Sequence, residues 1–117
     1  PSTLEKIGEY AFGSNLLKTL TLPENLVEIG ASAFQKNRLT SVFFPEEIRE
    51  IGKYSFAENE LSEVKIPSSL TVIPEGAFLA NAIRKLTLHA DVKEIEESAF
   101  AANPLPEASV PKGCSFH

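Results

Sequence analysis

Residues 17–38 read LKTLTLPENLVEIGASAFQKNR, and this stretch decides the fold because the chain contains four related copies of it. The other three copies have the same length of 22 residues, at 39–60, 61–82 and 83–104. A period of this length is typical of repeat proteins, in which each unit buries its apolar side only by stacking on its neighbours. The sequence therefore predicts a stack of units that share one continuous core.

Two incomplete copies flank the four complete repeats. Residues 1–16 correspond to the back of the unit, and residues 105–117 correspond to its front. We expect a single domain over residues 1–117 that is a fragment of a longer protein. An open end of such a stack exposes a strand edge or an apolar face, so end-to-end self-association of the fragment is expected at high concentration.

Alternating apolar residues predict where the strands lie. When the repeat is numbered from Leu17 as position 1, positions 4 and 6 are apolar and alternate with polar residues, as in a strand with one buried face. Proline at position 7 of most copies has no N–H for a ladder, so each strand should end there. The strands should stack in parallel about 4.8 Å apart. They are expected near residues 18–22, 41–44, 63–66, 85–88 and 107–110.

Three later positions describe the return side of each repeat. Position 14 is glycine in Gly8, Gly30 and Gly52, where we expect a bend with positive φ. Position 18 is phenylalanine in five copies, and these rings should stack into one column: Phe12, Phe34, Phe56, Phe78 and Phe100. Position 21 is asparagine in five copies, and its amide has enough donors and acceptors to bond its own turn and the next repeat: Asn15, Asn37, Asn59, Asn81 and Asn103.

The pattern Leu-x-x-Val-x-Ile-Pro-x-x-Leu-x-x-Ile-Gly-x-x-Ala-Phe-x-x-Asn resembles the BspA-type (Treponema-type) leucine-rich repeat, in its shorter form of 22 residues. The resemblance covers essentially the whole chain, and the local departures are His89, Pro74, Glu96 and Ala108. It implies a leucine-rich-repeat solenoid, with parallel strands on one face and tight turns or short helical segments on the other. Such repeats occur mostly in surface-exposed or secreted proteins of bacteria and some protozoa, where they are implicated in adhesion to host matrix proteins and cells.

Composition and motifs argue against several classes of function. The net charge is −5, and the eleven Lys and Arg residues are scattered, which disfavours nucleic-acid binding. The sequence contains no run of about 20 apolar residues, so it does not predict a segment that spans a membrane. Cys114 is the only cysteine, and it falls at the apolar position 10 of its copy, so no disulfide within the chain is possible. His89 and His117 lie far apart without a nucleophile and an orienting carboxylate, so we expect neither an enzyme, a cofactor nor a metal site.

The variable outward positions 3, 5 and 7, called here the sheet face, are the candidate site for a partner protein. Phe43 is the sharpest candidate, because strand alternation places it outside while Phe44 points inward. Single exposed apolar residues are common, however, and charges at position 3 can simply pair across strands. The candidate residues are Thr19, Thr21, Ser41, Phe43, Glu63, Lys65, Lys85, Thr87 and His89.

Two hypotheses about function follow from the sheet face and the resemblance. The first is an adhesin-like module, secreted or at the cell surface, that binds a host matrix or cell-surface protein through the sheet face. The alternative is a passive structural spacer that displays another domain and has no ligand of its own.

Overall fold

A computed structural model of the chain describes residues 5–89, 91–104 and 115–116. In these residues the secondary structure consists of short β-strands joined by turns, and no helix there is long and apolar enough to cross a bilayer. The strands are β1 (Lys6–Ile7), β2 (Glu28–Ile29), β3 (Glu50–Ile51), β4 (Glu63–Lys65), β5 (Val72–Ile73), β6 (Lys85–Thr87), β7 (Glu94–Ile95) and β8 (Ser115–Phe116).

The sheet face contains β4 and β6, which pair in parallel with Glu63 opposite Lys85 and Lys65 opposite Thr87. This register confirms the strands expected near 63–66 and 85–88. The strands expected at 18–22 and 41–44 are wrong, because neither stretch forms one. Alternation determines which side chains face the core, whereas a strand also needs a backbone ladder to its neighbour, and these stretches make none. The expected strand at 107–110 lies outside the described residues.

A second set of strands, not predicted from the sequence, lies at positions 12 and 13 on the return side. β1, β2 and β3 form one parallel sheet, and β5, β7 and β8 form another. Ile7, Ile29 and Ile51 are opposite one another along the first sheet. Two-residue strands leave no alternation in the sequence, so periodicity could not reveal them. Ile95 pairs with Phe116, which shortens the last step by one residue relative to the others; Cys114 lies outside the described residues.

The core runs between the two sets of strands and is filled by the repeated apolar positions. Leu26, Ile48 and Leu70 of position 10 are at most 1% exposed. The five phenylalanines stack as predicted, with ring centroids 5.3 Å apart in three neighbouring pairs and 5.7 Å apart between Phe56 and Phe78. Offset stacking at this distance adds to the free energy of burial, so the column stabilises contact between repeats.

The asparagine column joins each repeat to the one before it. Asn37 Nδ2 donates to the carbonyl of Phe34 in its own turn at 3.0 Å, and to Phe12 O in the preceding repeat at 2.9 Å. Its Oδ1 accepts from the N–H of Leu17 at 3.1 Å. The bond to its own turn is confirmed, but the partner repeat is the preceding one, not the next. The Phe12 carbonyl accepts no backbone bond among the described residues, and its donors are the side chains of Asn15 in its own turn and Asn37 in the following repeat.

Glycine at position 14 is needed for a different reason from the one the sequence suggested. Gly8, Gly30 and Gly52 do not have positive φ, so that prediction is wrong. The left-handed conformation occurs instead at positions 16 and 20, for example at Ser32 (φ 56°) and Lys36 (φ 60°). A Cβ on Gly30 would lie 2.5 Å from the amide nitrogen of Glu9 in the preceding repeat. Position 14 is therefore a point of close backbone approach between neighbouring repeats.

Candidate functional site

The structure does not bring all nine candidate residues together in one groove. Thr19, Thr21 and Ser41 are exposed, but they lie on stretches without strand structure. Lys85 Nζ and Glu63 Oε2 are 3.7 Å apart, and both side chains are at least 60% exposed. A solvated pair of this kind contributes less than about 1 kcal/mol. These two residues therefore neutralise each other across β4 and β6, which is the cross-strand pairing that the sequence offered as an alternative to a role in binding.

The other four candidates meet at one groove. Phe43, Lys65, Thr87 and His89 line a depression of about 480 Å³ that crosses the second, third and fourth repeats where their sheet-face segments end. Phe43 is 79% exposed at its rim.

The floor of the groove is apolar. Val42 and Ile66 are at most 4% exposed, and the partly buried Phe44 and Leu88 pack against the same core. The sequence reasoning named the rim but missed the floor, because it treated positions 4 and 6 as core alone. The signal for the floor was the large Phe44 at position 6, where the other described repeats have Leu or Ile.

His89 serves as a fixed wall of the groove. Its Nδ1 accepts from the N–H of Asp91 at 3.0 Å, so Nε2 carries the proton and donates to the carbonyl of Leu70 at 2.7 Å. Both ring nitrogens are thus occupied by the backbone. His89 takes the place of the proline found at position 7 elsewhere, and it bonds the fourth repeat to the third. A role as a general base or a metal ligand would require breaking one of these bonds.

Lys65 is the cation of the groove. It forms no ion pair among the described residues, and Glu46 provides a carboxylate elsewhere on the lining. An exposed aromatic ring, an ammonium group and an apolar floor can bind another protein surface. The groove lining contains no serine or cysteine paired with a free base, so it offers no arrangement for covalent catalysis.

A second depression is acidic and is lined by Glu75, Glu94, Glu96 and Glu97. Glu75 already has three partners. It accepts from the hydroxyl of Tyr54 at 3.0 Å, lies 3.6 Å from Lys53 Nζ, and its own N–H donates to Glu96 Oε1 at 3.1 Å. Among the described residues, no group of His, Cys, Asp or Glu side chains is arranged so that it could hold a metal ion. This cluster therefore links neighbouring repeats through hydrogen bonds.

Tyr54 should titrate above its ordinary value, because the hydrogen bond and the negative charge of Glu75 raise the pKa of the phenol above 10.0. The Tyr54–Glu75 hydrogen bond is therefore present at neutral pH and is lost as the pH rises through the raised pKa. Absorbance of the tyrosinate in a Tyr10→Phe background measures this midpoint. Glu75→Gln should lower it, whereas Glu24→Gln should not. An equal midpoint with and without the Glu75 carboxylate would contradict the assignment.

The comparison with known protein families identifies the same repeat. A family model described as a BspA-type leucine-rich repeat region matches residues 1–106 in six copies. A search of curated proteins finds none that matches the chain.

Proposed function

Because the chain belongs to the BspA-type leucine-rich-repeat family, we propose that it is a protein-interaction module that binds its partner through the groove at Phe43. We propose further that the repeats wind as one solenoid and that the module is secreted or displayed at the cell surface, in the manner of an adhesin. A host matrix protein or another cell-surface protein is the partner class that fits this role. No enzymatic activity is part of the proposal.

The observation that carries this proposal is the exposure of Phe43 beside an apolar floor. The ring is 79% exposed, although the neighbouring Phe44 shows that an aromatic on this segment can be packed inside. Aromatic residues that lie next to a concave apolar surface are typical of the residues that dominate binding between proteins. Lys65 adds a charge that selects for an acidic group on the partner.

A passive spacer is the second candidate function, and one observation favours it. Glu63 and Lys85 pair with each other on the sheet face, so these charges need no external partner. A spacer would leave the groove empty in every condition, which gives the two candidates opposite outcomes in a binding experiment.

The test is binding of the chain to a panel of purified extracellular-matrix proteins, measured by biolayer interferometry. Phe43→Ser and Lys65→Glu should each weaken binding about tenfold, equal to about 1.4 kcal/mol. Leu16→Ser and Lys18→Glu are matched controls, because Leu16 is 70% exposed and both residues lie outside the groove. An affinity unchanged in both groove variants would show that the binding site lies elsewhere. Absence of binding across the panel would favour the spacer.

A further inference from the structure

The junction between the second repeat (39–60) and the third (61–82) lacks pairing on the return side. β1, β2 and β3 pair in sequence, and so do β5, β7 and β8, but β3 and β5 do not. The cause lies at position 14. In the other described junctions its N–H donates to the preceding repeat, at 2.7 Å from Gly30 to Ile7 O, 2.8 Å from Gly52 to Ile29 O and 2.8 Å from Glu96 to Ile73 O.

Pro74 occupies position 14 of the third repeat and has no N–H to donate. The carbonyl of Ile51 therefore lacks the bond that its counterparts receive. The bond that Thr71 would donate to Arg49 O, by analogy with the 2.8 Å bond from Lys93 to Thr71 O, is absent as well. A cleft of about 390 Å³ lies at this break, with Ile51 and Pro74 on its two sides.

The sheet face has no strand ladder at this junction, as at the junction between the first repeat and the second, although the Ser62 N–H donates to Thr40 O at 3.3 Å. β4 pairs with β6 on one edge, but its other edge faces residues 41–44, which form no ladder with it. Phe44 lies edge-on to two rings of the phenylalanine column, with centroids 5.5 Å from Phe56 and 6.3 Å from Phe78. That pair of stacked rings is 5.7 Å apart, whereas the other three pairs are 5.3 Å apart. A ring larger than the Leu or Ile of other repeats thus accompanies the wider spacing.

The turn side holds this junction as it holds the others, and beside it the Glu60 N–H donates to Leu39 O at 2.9 Å. Tyr54, Phe56 and Glu58 donate their N–H groups to the third repeat at 2.7–3.0 Å. Asn81 also donates to Phe56 O at 2.9 Å. The second and third repeats are therefore joined along the turns, whereas on the return side the backbone ladder is missing and the Ser69 hydroxyl donates to Ile48 O. This is the arrangement of a hinge whose axis follows the turns and which opens on the return side.

We propose that this junction is a hinge and that its angle controls the groove at Phe43. The groove is lined by Phe43 and Phe44 from the second repeat and by Lys65 and Ile66 from the third, so a change of angle alters its width. A partner that fits one width stabilises one angle. This coupling rests on the proposed function, whereas the hinge itself does not.

The hinge is tested without a partner. In a Cys114→Ser background, spin labels are placed at Arg49 and Lys93, which span the junction, or at Glu5 and Arg49, which span two junctions that are paired on the return side. All three residues are exposed and occupy position 11. Each pair is two repeats apart, about 10 Å, so dipolar line broadening in continuous-wave EPR reports the distance. The distribution of distances between the two labels should be about twofold wider for the pair that spans the hinge. Equal widths would overturn the hinge.

Two variants test the cause and the coupling. Pro74→Gly restores the N–H, and Phe44→Leu removes the large ring. Each should narrow the distribution across the junction, while Pro23→Gly, a proline in the first repeat, should not. A width unchanged in both variants would overturn the assignment to these residues.

The coupling is measured with the matrix protein that binds the parent chain. Pro74→Gly should weaken that binding about tenfold although the groove residues are intact. A narrowed distribution with unchanged affinity would overturn the coupling and leave both the hinge and the proposed function in place. Loss of binding in Phe43→Ser alone supports the proposed function independently of the hinge.

Discussion

Asn59→Ala is expected to lower the free energy of unfolding by about 3 kcal/mol. Asn59 is only 7% exposed. Its Oδ1 accepts from the N–H of Leu39 at 3.1 Å, and its Nδ2 donates to Phe34 O at 2.9 Å and Phe56 O at 3.1 Å. The two carbonyls keep a second donor from Asn37 and Asn81, at 3.0 and 2.9 Å. The Leu39 N–H has no other acceptor among the described residues, so it bears the full cost of an unpaired buried donor.

The matched control is Asn15→Ala. Asn15 occupies the same position 21, but its amide is exposed and bonds only its own turn, at Phe12 O and Gly13 O. Its loss should cost less than about 0.5 kcal/mol, since water replaces both partners. Urea unfolding followed by circular dichroism measures both variants. If Asn59→Ala stays within about half a kcal/mol of the parent chain, the asparagine column is not a stabilising element.

The structural roles of the repeated positions could be predicted from the sequence, because the same residue type recurs at each of them in several repeats. The phenylalanine column and the bonds within each asparagine turn follow from one ring and one amide per repeat. The return-side strands were missed, since a pair such as Glu28–Ile29 is too short to show alternation. The strands at 18–22 and 41–44 were wrong for the opposite reason: alternation is present there, but the backbones of neighbouring repeats make no ladder.

The groove and the hinge arise where single residues depart from the repeat. His89, Pro74 and Phe44 each replace the residue type usual at its position, and the sequence shows all three substitutions. Their consequences depend on which backbone atoms face them. Pro74 has an effect because it faces the carbonyl of Ile51, which receives no N–H donor from it. His89 has an effect because Leu70 O and the Asp91 N–H lie within hydrogen-bond distance of its ring. These distances between atoms of neighbouring repeats cannot be read from the sequence.

The candidate residues on the sheet face show the same limit. Outward alternation correctly placed Phe43 outside, but it could not separate Lys65, which lines the groove, from Lys85, which pairs with Glu63. The two lysines lie at positions 5 and 3 of neighbouring repeats, and the sequence marks both simply as exposed cations. Only the distance between side chains distinguishes a charge available to a partner from one that is already paired.

Gly52→Ala is expected to destabilise the chain by about 3 kcal/mol, because the added methyl group meets backbone. A Cβ on Gly52 would lie 2.5 Å from the Cα of Ala31 and 2.6 Å from the carbonyl carbon of Gly30. Backbone cannot rotate away as a side chain can, so β2 and β3 must separate. The 2.8 Å bond from Gly52 N to Ile29 O would then be lost with the packing.

Outside the Pro74 junction, where the ladder bond is missing, position 14 holds a side chain only where something compensates. Glu96 does so in the fourth repeat, where its Oε1 accepts the N–H of Glu75 at 3.1 Å while its own N–H still reaches Ile73 O. Alanine has no oxygen that could accept the corresponding N–H of Ala31. Gly52→Ala therefore combines the cost of overpacking with the loss of a ladder bond and gains nothing in return.

Gly8→Ala provides the matched control for Gly52→Ala. Gly8 occupies the same position, but a Cβ there would have no atom within 4 Å. Neither glycine has positive φ, so alanine is free of backbone strain at both positions and the two variants differ only in what the methyl group contacts. Chemical denaturation should show Gly8→Ala within about 0.5 kcal/mol of the parent chain. Equal stability of the two variants would mean that repeats can move apart at β2 and β3 as readily as at the Pro74 junction, which would remove the reason for placing the hinge there.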